Sequence, residues 1–211
     1  MRITITYDNE VWKKDLKANW GFSCFIEVYG KNILFDTGAN ANILLWNMAR
    51  LGIDPRIVDE VFISHSHWDH MGALSGFLAV KPCRVYIPFS CPLPPVGDEI
   101  IKVKAPLKIH KNIFSTGELR GIEQSLIVKT EAGLVVIAGC SHPGVREIFK
   151  EASRLGKISF LVGGLHGFNE FHIVRDLEKI CPTHCTQYKK EIKALYPEKY
   201  LDGGVGRVIE I

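Results

Sequence analysis

The 211-residue sequence predicts a mixed α+β fold with α/β-like layering, in which helices cover sheets, organised as one domain over residues 1–211. Three observations carry that expectation. The N-terminal third alternates apolar and polar residues with period two, the pattern then changes to helical spacing, and several short apolar runs have the look of strands covered on both faces. A chain of 211 residues buries roughly 70% of the surface its unfolded form exposes, so it needs no staple to fold.

Taken in order, "RITITY" (residues 2–7) reads as the first strand, and "FSCFIEVYG" with "KNILFDTG" reads as a hairpin turning at "YGKN". "ANILLWNMARLG" has apolar residues at 43, 44, 45, 48 and 51 and closes at Gly52, which predicts a helix. "DEVFISH" and "RVYIP" are short strands. The loop "FSCPLPPVGD" follows, with Pro88, Pro92, Pro94 and Pro95 too dense for a regular ladder, and it is long enough to serve as a lid or substrate wall. "EQSLIVKTEAGLVVIAGC" is a hairpin about "TEAG". In "PGVREIFKEASRLG", Val145, Ile148, Phe149, Ala152 and Leu155 share one face between Pro143 and Gly156, the clearest helix in the chain. "KISFLVGG" reads as a strand, "HIVRDLEKI" and "YKKEIKALY" as helices, and "VGRVIEI" as a closing strand. The sequence has no internal repeat, low-complexity tract or composition break.

Composition removes several function classes. The hydrophobic share of 46% and charged share of 23% are those of a globular protein. A net charge of +3 is too small to announce a polyanion partner, so no nucleic-acid binding is expected. There is no signal peptide and no apolar run near the ~20 residues of a membrane span, which predicts a cytoplasmic protein without membrane association. The oligomeric state is open. Six scattered cysteines without a C-x-x-C pair read as reduced thiols, and "CPTHC", with Cys181 and Cys185 around His184, lacks the second half of a zinc ribbon.

The chemistry concentrates in "FISHSHWDHMG" (residues 62–72), where His65, His67, Asp69 and His70 crowd into six positions after an apolar strand. Residues two apart on an extended segment point the same way, so His65 and His67 can reach one point and Asp69 with His70 another. A lone histidine is usually a core or surface residue, but imidazoles clustered with a carboxylate suit Zn(II), Mn(II) or Fe(II). Cys140 with His142, then His166 and His184, also fall at or just past predicted strand ends, the way α/β layouts assemble a site. His110 and His172 read as surface or packing residues.

"HSHWDH" matches the H-x-H-x-D-H signature of the metallo-β-lactamase superfamily, and "GFSCFIEVYGKNILFDTG" resembles that fold's opening hairpin with its strand-end Asp36. With "SHSHWDHMGAL", "GLVVIAGCSHPG", "GGLHG" and "PTHCT", nearly the whole chain is similar to a subgroup called metal-dependent hydrolases of β-lactamase superfamily II. That subgroup includes archaeal enzymes described as dihydropterin ribofuranosyl-aminobenzene phosphate synthases. The resemblance implies an αββα four-layer sandwich with one or two divalent metals at the edge between its halves, zinc first, manganese or iron as alternatives. It implies that His65, His67 and His142 would hold one metal, Asp69, His70 and His184 the second, and that Asp36 would brace the site. Many members carry a histidine before the strand that matches "EQSLIV" and a metal-bridging aspartate after the next one. Here "STGELRGI" has no histidine and Cys140 stands at the later position, which leaves open whether Cys140 ligates or packs, and whether the second site is weak.

The implied reaction is hydrolysis of a small-molecule ester or phosphate-containing substrate by a metal-bound hydroxide, since coordination lowers the pKa of water from 15.7 to about 7. Asp69 would orient that hydroxide or take its proton. His166, between the glycines of "GGLHG", would protonate a leaving group or contact a phosphate, or else is a histidine satisfied in a turn. Pterin-related synthase chemistry is the finer implication; a non-hydrolytic metal-binding or sensing module, its metal tuned by Cys140, Cys181 and Cys185, is the alternative. The complete H-x-H-x-D-H favours the enzyme. "YDNE" and "KANWG", with Trp12 and Trp20, would form a stacking wall, and the lysines of "IIKVKAPLKIHK" would meet an anionic group or lie on a solvated strand face.

Overall fold

Successive side chains of a strand point to opposite faces, and a strand apolar at nearly every position must be covered on both. A computed structural model, which describes residues 1–94 and 99–211, shows how this chain meets that demand. Strands β1 (Arg2–Tyr7), β2 (Ser23–Val28) and β3 (Lys31–Phe35) lead to helix α1 (Ala41–Arg50). Strand β4 (Glu60–Phe62), helices α2 (Trp68–Met71) and α3 (Leu74–Val80), and strands β5 (Arg84–Pro88) and β6 (Glu99–Val103) complete the first half. The second half runs β7 (Leu107–His110), β8 (Ile113–Ser115), β9 (Leu126–Thr130), β10 (Gly133–Ala138), helix α4 (Val145–Ala152), β11 (Ile158–Gly164), β12 (Lys179–Thr183) and helix α5 (Lys189–Leu195). Strand β13 (Val208–Glu210) returns to pair antiparallel with β1, Ile3 opposite Ile209.

Among the described residues the strands form a seven-stranded sheet, β13-β1-β2-β3-β4-β5-β6, and a six-stranded sheet, β12-β11-β10-β9-β8-β7. Period two sorts their side chains. Cys24 and Ile26 of β2 and Val135 and Ile137 of β10 fill the layer between the sheets. Phe25 faces Leu44, Met48 and Phe77 on the outer side of the first sheet, while Leu134 and Val136 face Val145, Ile148 and Ile192 outside the second. Helix, sheet, sheet, helix is the αββα order. The β2–β3 hairpin turns at Tyr29 (φ 51°) and Gly30 (φ 70°), both left-handed as a two-residue primed turn requires.

The expected strands form, as do α1, α4 and α5. "HIVRDLEKI" is a correction: Phe171–Val174 is one 3-10 turn, and Lys179 and Ile180 enter β12, parallel to β11. The helical spacing there arises because Val174 and Leu177 pack on the outer apolar layer from irregular backbone, while Ile180 is needed to complete the sheet. Helices α2 and α3 were not anticipated. Part of the proposed lid, residues 95–98, lies outside the described residues; before it, Phe89 donates its N–H to the Val103 carbonyl and Cys91 is buried. No described helix is long and apolar enough to cross a membrane.

Phe35 stacks on Phe62 with ring centroids 5.5 Å apart and meets Phe22 edge-on, in the layer between the sheets. Phe35→Ala is expected to cost about 3–5 kcal/mol, read as a lowered midpoint in urea unfolding; an unmoved midpoint would contradict this account of the core.

Candidate metal centre

The parallel strands deliver their ends to one edge of the sandwich. Asp36 follows β3, His65 lies beyond β4, Cys140 beyond β10, His166 beyond β11 and His184 directly after β12. Four residues here take left-handed backbone without being glycine: Asp36 (φ 51°), Ser141 (φ 60°), His166 (φ 45°) and His184 (φ 47°). Such strain, of order 1–3 kcal/mol per residue, survives where surrounding structure over-determines it and collects at functional sites. Gly164 is required by close approach, since a Cβ there would lie 2.5 Å from the Gly139 carbonyl oxygen and 2.8 Å from Cys185 Sγ.

Three imidazoles form a first group. His65 Nε2 lies 3.1 Å from His67 Nδ1, and His67 Nδ1 lies 3.2 Å from His142 Nε2. Hydrogen bonding assigns the protons of His65. Ser64 donates its backbone N–H to Asp36 Oδ1 and its hydroxyl to Asp36 Oδ2, both at 2.7 Å, so its oxygen is left to accept from His65 Nδ1–H at 2.9 Å. The Nε2 lone pair of His65 therefore faces the other rings.

A second group lies beside it. His70 Nδ1–H donates to Asp36 Oδ2 at 2.7 Å, which turns an Nε2 lone pair towards His184 Nε2, 3.2 Å away. Asn9 Oδ1 already accepts the Gly21 N–H at 3.1 Å, so His184 Nδ1, 3.0 Å from that same oxygen, must be the donor. His184 Nε2 is then unprotonated as well, with Asp69 Oδ2 at 3.2 Å. Nitrogen lone pairs and a carboxylate oxygen converging at such separations repel one another unless a cation lies among them. Zn–N bonds of about 2.0–2.1 Å at tetrahedral angles place ligand atoms roughly 3.3 Å apart, so the donor set fits a divalent metal in chemistry and spacing.

Burial favours the neutral, ligand form of most of these imidazoles, whereas at His70 the charge and hydrogen bond of Asp36 outweigh burial and raise it. Burial, with His70, His142, His67 and His184 around it, pushes His65 far down. Burial and then His166 and His67 bring His142 down to about 4, and burial lowers His184 and His166. His65, His142, His184 and His166 are neutral imidazoles at neutral pH. Burial opposes the Asp69 carboxylate, but its contact with His184 and the nearness of His70 outweigh it and hold Asp69 at about 2.

Cys140 is 3% exposed, its Sγ 3.1 Å from His70 Nε2 and 3.3 Å from Cys185 Sγ. Its Sγ groups with donors of His65 and His142, with those of His70 and His184, and with those of His166 and Cys185, each set mutually within 4.8 Å. His166 stands beside His142, ring centroids 4.6 Å apart. Cys181, by contrast, is in the layer between the sheets, its thiol pushed up to about 12 by burial, so the two cysteines of "CPTHC" serve different places. Trp20 meets the His184 ring edge-on at 5.1 Å, whereas Trp12 is covered by the Arg207 guanidinium at 4.3 Å. Lys102 and Lys104 lie over the Phe89 ring, and His110 bonds Glu60 at 2.7 Å.

Two carboxylates escaped sequence reasoning. Glu123, fully buried, accepts the N–H groups of Gly139, Cys140 and Ser141 on Oε1 at 3.0–3.1 Å and that of His142 on Oε2 at 2.9 Å. Asp8, which was read as part of a wall, accepts the His184 N–H at 3.0 Å, and burial raises it to about 6. Neither sits in a motif with ligand spacing; their partners are backbone N–H groups, which any residue supplies.

Comparison with known proteins follows the same lines. The model of the metallo-β-lactamase superfamily matches residues 21–88, the stretch from the hairpin through the His65–His70 cluster. A crystal structure of a metal-dependent hydrolase of the β-lactamase superfamily aligns over 100% of this chain and 99% of its own, at TM-score 0.78 and 27% identity. In family model, sequence and fold, the chain is similar to the metallo-β-lactamase superfamily. A relative from Methanocaldococcus jannaschii, the 7,8-dihydropterin-6-methyl-4-(beta-D-ribofuranosyl)-aminobenzene-5'-phosphate synthase, is 27% identical over 89% of this chain and 88% of its own. An uncharacterised protein of that organism is 28% identical over 99% of this chain and 100% of its own. Human tRNase Z, short form, shares the fold at TM-score 0.67 and 14% identity.

Glu123→Gln puts an amide NH2 where carboxylate oxygens accept four N–H groups, and is expected to cost about 2–3 kcal/mol in chemical unfolding. Stability equal to the parent would remove Glu123 as the anchor of the 139–142 turn. Asp36→Asn is expected to weaken metal binding about 10–100-fold in a chelator competition, and unchanged affinity would sink its bracing role.

Proposed function

We propose that this protein is a member of the metallo-β-lactamase superfamily and a metal-dependent hydrolase acting on a small-molecule ester or phosphate-containing substrate in the cytoplasm. The observation that carries the reading is the convergence of unprotonated donor atoms whose outer nitrogens are committed to Asp36, Ser64 and Asn9. His65, His67 and His142 would hold one divalent metal and Asp69, His70 and His184 a second, zinc first, with manganese or iron as alternatives. A metal bound there would supply Lewis acidity to a carbonyl or phosphoryl oxygen and make an attacking water acidic near neutral pH. Asp69, ionised at neutral pH, orients that water or takes its proton through its carboxylate. His166, a neutral imidazole beside His142, offers an N–H to a leaving-group or phosphate oxygen.

The finer reading concerns the substrate. The synthase relative's name joins a pterin to a ribofuranosyl phosphate, and Trp20, half exposed beside His184, offers a stacking edge for a heterocycle. A pterin-related, synthase-type activity is the form of the proposal that fits both.

His67→Ala and His184→Ala are each expected to lower bound metal, and turnover of chromogenic phosphodiesters or esters with Zn(II) or Mn(II), by at least about tenfold. Metal content unchanged in both variants would overturn the site. Metal bound with no turnover of any such substrate would favour the non-hydrolytic, sensing alternative.

A further inference from the structure

The metal centre holds one more polar side chain than its two histidine groups require. We propose that Cys140 is itself a ligand, a thiolate shared between the two metal positions and bridging them. The inference rests on the metal-centre reading above and deepens it.

Placement comes first. Among the described residues grouped by donor atoms, Cys140 belongs both to the set with His65 and His142 and to the set with His70 and His184. A side chain common to both groups lies between them, where one atom can serve two cations. Its backbone is held there: Glu123 Oε1 takes the Cys140 N–H at 3.1 Å, and Gly139 and Ser141 hang on the same oxygen. Gly164 lets the end of the neighbouring strand β11 lie close against it, a Cβ there falling 3.3 Å from Cys140 Cα.

The plain alternative is a packed thiol whose S–H points at His70 Nε2, 3.1 Å away. That pairing accounts for one side of the sulfur only, since donor atoms of His65 and His142 also group with it within 4.8 Å. With a metal at each position the thiol would bind as thiolate: the S–H bond would break, two sulfur–metal bonds would form, and the proton would leave to solvent. A bridging sulfur bonded to Cβ and two metals keeps one lone pair. Cys185 Sγ, 3.3 Å away, is placed to donate its S–H to it.

A sulfur bridge has a consequence for metal choice. Thiolate is a soft ligand, so the pair of positions should prefer Zn(II), Co(II) or Fe(II) over Mn(II), and the two affinities should be linked because one donor serves both.

The test is titration of the reduced, metal-stripped full chain with Co(II), followed by absorption and by counting reactive thiols. The expected result is a near-ultraviolet thiolate-to-cobalt charge-transfer band that grows through two equivalents, with protection of the Cys140 thiol. Cys140→Ser should lose the band and bind the second equivalent about 10–100-fold more weakly, Cys185→Ser should keep the band, and Cys140→Asp should bind two equivalents without it and gain Mn(II) relative to Co(II). Two equivalents bound by the parent chain without a band, a band complete at one equivalent, or a band lost in Cys185→Ser but kept in Cys140→Ser would each overturn the bridge and leave the proposed function standing. No cobalt bound at all would overturn both. The parent spectrum decides whether thiolate is bound, so a Cys140→Ser chain that fails to fold does not rescue the proposal.

Discussion

Everything at the sheet edge depends on the Asp36 carboxylate. It has no exposure to solvent, and burying an ionised group costs several kcal/mol unless hydrogen bonds replace its water. Ser64 supplies two of those bonds and His70 the third. Because Ser64 and His70 flank the histidine run, satisfying one carboxylate ties the end of β3 to the loop after β4 and selects the tautomers that turn His65 and His70 inward. A structural demand, an unpaired buried charge, and a functional one, lone pairs aimed at a common point, are met by the same three contacts.

The second half of the sandwich repeats this solution with different chemistry. Glu123 gathers the backbone of residues 139–142 instead of side chains, and Asp8 holds the backbone of His184. The three carboxylates come from the end of β3, the end of β1 and the loop before β9, so closing the two sheets on one another is what assembles the site. The left-handed residues at Asp36, Ser141 and His184 are held by these same bonds, which stabilise turns that would otherwise relax.

Hydrolases, a synthase and a nuclease appear among the relatives and fold neighbours of this chain, so the fold does not select a reaction. The donor set at the edge does more. Imidazole and carboxylate suit several divalent metals, and a sulfur ligand among them would narrow the choice. Trp20 and His166 lie beside the cluster and outside its two histidine groups.

Periodicity in the sequence determined most of the layers, because apolar alternation in β2 and β10 and the spacing in α1 and α4 are local properties of the chain. It failed at "HIVRDLEKI", where helical spacing came from two separate demands, packing of Val174 and Leu177 outside the sheet and completion of the sheet by Ile180. The histidines and Asp69 were legible because ligand side chains must be particular residue types in close spacing. Only the tertiary structure decided what holds them. Glu123 and Asp8 act through backbone N–H groups, Asn9 through an amide oxygen whose role is set by Gly21, and Cys140 through a position shared by two groups that each draw residues from both halves of the molecule. Contacts of that kind carry no spacing signature, since the partners are remote in sequence and meet when the two sheets close.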